Sequence, residues 1–316
     1  MSGNNRILAI WGAPGAGKTA TAVKLAMELA AHKKNTVILQ CDFMAPAPQT
    51  LLPGTSTDGK SLGELLSLSS ISQVAILKRC IPFGKNPYVS LLGYKSGDNA
   101  FSYAKYAKER AVDLITLLRH VADYTIIDCS SAFALDVLSA VALENADAVL
   151  RLCACDLKSL SYFASALPLL ADGRYAQDRH IKALSMVKPG QDSGEYHNAF
   201  GGVSYTLPFI PELEEQFNEG RLEDELCTKV ARGYHAAIQS ISHDILLGKP
   251  EAQNTKIWPV TPAQCVKKEK PVKEKPPKEQ SNPSSGFRPL SKSKPVPEKP
   301  GGGIFEKLNK PKGGRP

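Results

Sequence analysis

The eight residues GAPGAGKT, Gly12 to Thr19, constrain this chain more than any other stretch. Gly12, Gly17, Lys18 and Thr19 fill the pattern G-x-x-x-x-G-K-[ST], and Gly15 adds backbone freedom because it has no Cβ to forbid positive φ. Such a loop turns successive N–H groups inward as a nest for phosphate oxygens. The helix that follows aims its N-terminal dipole at the same anion. In that arrangement Lys18 reaches the β- and γ-phosphates and Thr19 offers its hydroxyl to Mg²⁺. The expected nucleotide-binding set is therefore Gly12, Ala13, Pro14, Gly15, Ala16, Gly17, Lys18, Thr19 and Ala20.

The flanks fit that reading. Arg6 to Trp11 (RILAIW) is an apolar run suited to a buried strand. After the loop, Ala22, Leu25, Ala26 and Leu29 recur at helical spacing. The alternative is a glycine-rich turn that binds nothing, and the strand–loop–helix context speaks against it.

Downstream, strands and helices alternate. Strands are expected at Thr36–Gln40, in YVSLL between Pro82 and Gly97, at Asp123–Ser131, at Ala148–Cys155 (with Arg151 an awkward inclusion), at 181–187, and in YTLPFI near 205–210. Helices are expected over 61–80, 101–121, 134–145, 158–171 and Leu226–Leu247. The last carries a stripe of Val230, Tyr234, Ile238, Ile241 and Ile245. This alternation implies a doubly wound α/β fold, a mostly parallel sheet with helices on both faces. Ligands of such sheets bind at the carboxyl ends of the strands. Three ends offer suitable groups: the glycine loop, Asp42, and Asp128 in IIDCSS. A phosphoryl-transfer site needs a cradle, a metal shell and an acid to hold the metal or orient water. Thr19, Asp42 and Asp128 are the expected metal ligands, and Lys18, Asp42 and Asp128 the expected catalytic groups. Asp42 also reads as a plain turn residue before a proline-rich loop.

Charge divides the chain in two. Residues 1–248 hold 23 Lys/Arg against 25 Asp/Glu, whereas residues 249–316 hold 16 against 6 and 13 of the 23 prolines. The basic balance belongs to the tail. Runs such as KKEKPVKEKPPKE cannot build a core and read as extended and disordered. The expected division is a P-loop domain over 1–247 and a Pro/Lys-rich tail over 248–316. The tail has a short apolar motif, Gly303, Ile304, Phe305 and Leu308. No run approaches the length of a membrane span. No charged-then-apolar leader precedes the first strand, so a cytoplasmic protein is expected. The seven cysteines include no C-x-x-C pair; Cys153 and Cys155, two apart in an expected strand and facing the same way, suit buried reduced thiols better than a metal site.

With these parts in order, residues 6–247 resemble the ParA/MinD group of P-loop ATPases. IIDCSS is similar to the group's Walker B strand and switch II. ENADAVLRLCACDLKSL and LPFIPELEEQFNEGRL resemble two later segments, the second of which lies beside the adenine in that group. The resemblance implies that Asp42 positions the attacking water, that Asp128 supports the metal, and that Gln40 stands where the group has its first switch I acid. It also implies ATP and Mg²⁺ as cofactors and a nucleotide-dependent homodimer. One departure matters: the group's best-known members carry a lysine after the first glycine of the loop, which reaches the partner's nucleotide, and here that residue is Ala13. Hydrolysis is therefore expected to be slow or partner-dependent. Divergent members resembling this chain include pilus-assembly proteins of the TadZ/CpaE type. No N-K-x-D guanine signature occurs, so ATP is expected rather than GTP.

Two functional classes follow. One is a switch that positions or assembles an apparatus such as a pilus or secretion system, with a protein partner from that machinery. The other is a partitioning ATPase whose basic tail clings to DNA without sequence preference. Phe287 and Phe305 are the only aromatics after Trp258, which disfavours stacking on single strands. GIFEKL in the tail reads as a docking peptide first and as a peripheral grip on the inner face of the membrane second.

Overall fold

Apolar runs without polar alternation are buried on both faces, and this places them in the middle of a parallel sheet. The computed structural model describes residues 6–248. The strands are β1 (Arg6–Gly12), β2 (Thr36–Gln40), β3 (Ile81–Pro82), β4 (Val89–Leu92), β5 (Tyr124–Asp128), β6 (Ala148–Ala154), β7 (His180–Val187) and β8 (Tyr205–Pro208). Among the described residues they form one sheet in the order β3-β4-β2-β5-β1-β6-β7-β8. All pairs are parallel except the short edge pair β3–β4. The residues of β2 and β5 are buried throughout, as are Ile7 to Gly12 of β1.

The flanking helices are α1 (Lys18–Ala31), α2 (Pro48–Leu51), α3 (Leu62–Leu66), α4 (Gln73–Arg79), α5 (Lys108–Leu118), α6 (Val137–Asn145), α7 (Leu157–Ala166), α8 (Gly194–Ala199), α9 (Pro211–Asn218) and α10 (Arg232–Ile241). The doubly wound expectation therefore holds. The tail expected over 248–316, with its motif near 303–308, lies outside the described residues apart from Gly248.

Three helix expectations are shortened, each for a local reason. The stretch 61–80 is two helices, because SLSSIS (67–72) interrupts it and the Ser72 side chain accepts from the Ala75 N–H to start the second. The helix expected over 101–121 begins only at Lys108. Before it, Asn99 Oδ1 takes the Phe101 N–H at 2.9 Å and the Tyr103 hydroxyl donates to Asp98, which holds the chain in turns. The helix expected from Leu226 begins at Arg232; before it, the Glu212 carboxylate takes the N–H groups of Cys227 and Thr228 at 2.8 and 3.0 Å and ties that stretch to α9. Val230 accordingly leaves the stripe and is exposed, whereas Tyr234, Ile238, Ile241 and Ile245 are buried. Arg151, the awkward strand cation, is buried. It lies over the Trp11 ring and donates from Nε to His180 Nδ1 at 2.8 Å. Cys153 and Cys155 are free and buried, as expected, and so are Cys41, Cys80 and Cys129.

Register sets the site. Ile10 of β1 and Gln40 of β2 both stand opposite Asp128 of β5, and Gly12 stands opposite Leu152 of β6. The carboxyl ends of the central strands are thus level. At Gly12 a Cβ would lie 2.1 Å from the Leu152 carbonyl oxygen. Backbone cannot yield there as a flexible side chain would, so Gly12→Ala should cost about 1–3 kcal/mol of stability. A urea denaturation midpoint equal to that of the wild type would contradict so close an approach.

Candidate functional site

From Gly12 the chain turns into α1 through residues held by glycine geometry. Gly15 and Gly17 have φ of 76° and 77°, a region L side chains rarely adopt. Gly17 opens α1 with no side-chain cap, and the first helical turn has no acid. By contrast, α6 and α7 are capped by the carboxylates of Asp136 and Asp156. The first N–H groups of α1 are therefore left for an anion.

The loop lines a cavity of about 650 Å³. Pro14 through Thr21, Gln40, Asp42, Asp128 and Ser131 all reach it. Of the expected set, Gly12 and Ala13 do not line it. Ala13 is buried, and its N–H donates to the Leu152 carbonyl at 3.4 Å. Lys18 Nζ donates to Ser131 Oγ at 2.6 Å and to the Gly12 and Ala13 carbonyls at 3.3 Å each. The Thr19 hydroxyl donates to Asp128 Oδ2 at 2.6 Å. Asp42 Oδ1 accepts from the N–H groups of Met44 and Ala45 at 2.8 and 3.2 Å. Asp42 thus does the work of a turn residue while also facing the cavity.

Charge in the site is costly. Burial lowers the pKa of Lys18, against the pull of Asp128 and Asp42. Burial raises that of Asp128; Lys18 and the Thr19 hydroxyl oppose the rise and Asp42 adds to it. Opposite Asp128, Gln40 is buried, and its amide helps to hold the Asp128 pKa down. It is neutral, so it brings no further charge to the site. A cavity that holds a buried carboxylate under-compensated by its one lysine, beside a second carboxylate and a hydroxyl, has the donor chemistry of a magnesium site.

The sheet order puts a different surface on the other side of the loop. The chain after β8 contributes Phe209, Ile210, Leu213 and Phe217 to the cavity, and Tyr234 of α10 joins them. Met186, at φ 56°, breaks the register of β7 with β8 and sits against Gly17, where a Cβ would lie 3.7 Å from its sulfur. The neighbouring Ser185 hydroxyl donates to the Ala16 carbonyl at 2.8 Å and so holds the loop. Sequence reading placed the 207–222 stretch here by resemblance, of which residues between 207 and 218 line the cavity, but missed Ser131, Met186 and Tyr234. Ser131 had a signal, since it follows Asp128 by three residues. The other two had none, being brought in by packing alone.

No protein-family model matches the chain, and no curated protein matches it. Solved structures do. A ParA family ATPase from Chlorobium tepidum superposes with a TM-score of 0.62 at 17% identity, covering 76% of this chain and 98% of that one. An ATP complex of a McdA variant from Cyanothece gives 0.58 at 17% over 75% and 96%. The septum site-determining protein MinD from Pyrococcus horikoshii, complexed with Mg-ADP, gives 0.56 at 15% over 77% and 98%. At these identities the likeness is one of fold: the described residues adopt the fold of ParA/MinD-type P-loop ATPases.

A carboxyl whose pKa is raised by folding contributes stability that is present at low pH and lost as pH rises through the folded value. In metal-free buffer Asp128→Asn should therefore raise the melting midpoint over wild type, and by more at about pH 7 than at about pH 4. A lower midpoint for the variant at neutral pH would show that Lys18 and Thr19 outweigh burial.

Proposed function

We propose that this chain is an ATP-dependent switch of the ParA/MinD type that binds Mg·ATP in this cavity, turns it over slowly, and positions or assembles a larger cellular apparatus. One observation carries the reading. The uncapped N-terminus of α1, the Lys18 ammonium and the Thr19–Asp128 pair converge on a single cavity. Fold neighbours with ATP or Mg-ADP support it.

Each group has a role in that reading. The loop N–H groups take the phosphates, and Lys18 exchanges Ser131 and the two carbonyls for phosphate oxygens. Thr19, Asp128 and Asp42 hold Mg²⁺, whose charge offsets that of the phosphates. Asp42, already at the cavity edge, orients water. The apolar wall of Met186, Phe209 and Ile210 takes the base by stacking and exclusion of water.

Turnover is slow for an electrostatic reason. Negative charge grows on the bridging oxygen as the γ-phosphoryl leaves and must be offset. A cation supplied in trans contributes about 10³–10⁵ in rate in related phosphoryl transfers. Ala13 offers none, and among the described residues Lys18 is the only cation lining the cavity. Calorimetry should show Mg·ATP binding that Lys18→Ala abolishes. Steady-state ATPase of the isolated protein should fall well below the turnover of about 10 s⁻¹ that is typical of enzymes. Unchanged affinity in the variant, or several turnovers per second without a partner, would defeat these two claims respectively.

The same face suits a second copy of the chain. Met44, Leu135, Val137 and Leu157 are exposed, and each follows the carboxyl end of β2, β5 or β6. With a non-hydrolysable ATP analogue the protein should sediment as a dimer, and Leu135→Asp should weaken the dimer while leaving nucleotide affinity unchanged. A pilus- or secretion-type apparatus of the TadZ/CpaE kind is the proposed client. The excess of ten positive charges in residues 249–316 favours a second reading, DNA partitioning. Salt-dependent DNA binding that disappears without those residues would select it.

A further inference from the structure

α1 carries a second lysine that the phosphate site does not use. Lys24 is buried, and its ammonium donates to Gln216 Oε1 at 2.7 Å, to the Leu222 carbonyl at 2.8 Å and to the Asp224 carbonyl at 2.7 Å. All three of its protons are thereby used. Gln216 in turn donates from Nε2 to the Glu225 carbonyl at 3.1 Å. On α9, Leu213, Glu214 and Phe217 face the cavity, while Glu212 and Gln216, four residues apart and so on one side of the helix, hold the chain of 222–228. Burial of a cation is expensive unless its hydrogen bonds are made. Burial pushes the Lys24 ammonium down to about 8, against the pull of Asp224, Glu212 and Glu225. An apolar residue would pack α1 at less cost, but it would not grip two main-chain carbonyls and one side chain at fixed positions.

We propose that Lys24 is a positioning residue for the base side of the cavity. It clips α9 and the 222–225 loop to the helix whose first turn holds the phosphates, and so sets the spacing between the apolar wall and the glycine loop. This rests on the reading of the cavity as a nucleotide site. A ligand that touches both halves depends on that spacing, whereas one that touches only the loop does not.

The test is calorimetry on the full chain with Mg·ATP and with Mg·tripolyphosphate, for wild type, Lys24→Met and Gln216→Ala. Loss of hydrogen bonds to a charged group should weaken ATP binding by about tenfold or more in Lys24→Met, with tripolyphosphate affinity held within about twofold. Gln216→Ala should shift ATP affinity in the same direction by less, and it stands in if Lys24→Met does not fold. Equal losses for both ligands, or none for either, would overturn the proposal and leave Lys24 a packing residue. Wild type that binds tripolyphosphate as tightly as ATP would overturn it too, since no wall would then be felt. Wild type that binds neither would overturn the nucleotide reading itself and the proposal with it.

Discussion

Asp128 is a carboxylate at the end of an apolar strand in the middle of a sheet, and the site is arranged around that charge. Burial leaves it little water, so protein groups must do much of the solvating. Thr19 gives it a hydrogen bond, and Lys18 lies near enough to attract it. Both belong to the first turn of α1, and their positions follow from where the glycine loop releases the helix. The loop is in turn fixed by the contact of Gly12 with the Leu152 carbonyl and by the Ser185 hydroxyl under Ala16. Loop, helix start and acid therefore form one linked unit whose charges remain only partly balanced.

That imbalance is useful. A fully compensated site would have little to gain from a ligand. Here the uncapped helix end awaits an anion, and the buried carboxylate awaits a cation. In the reading proposed above, a metal–phosphate pair would answer both at once, and its binding would stabilise the folded chain. In the same reading, neutral Gln40 would add no charge on the metal side, and Ala13 would offer none toward the bridging oxygen.

Strand order separates two tasks around β1. On one side β5 and β2 bring the acids; on the other β6, β7 and β8 lead to the apolar wall. α1 spans the two, with Lys18 and Thr19 at its start and Lys24 farther along. Its packing against α10 brings Tyr234 to the same cavity.

Much of this was legible in the sequence. The GAPGAGKT loop and the unalternating runs of β1, β2 and β5 announce themselves, because glycine geometry and two-sided burial leave few other arrangements for such residues. Asp128 was legible as an acid at the end of an apolar run. Helix starts within 61–80, 101–121 and 226–247 were less so, because the side chains of Ser72, Asn99 and Glu212 hold nearby N–H groups in caps and turns that periodicity does not register. The partners of Lys18 and Lys24 were decided only by tertiary structure. Ser131 lies 113 residues from Lys18, and Gln216 lies 192 from Lys24. Local spacing carries no record of such distances. The sequence by itself determined which segments are buried and where a phosphate-binding turn forms, because propensity and patterning act over a few residues. Which side chains meet across the cavity was decided by the order and register of the strands, which are set by the packing of the whole sheet.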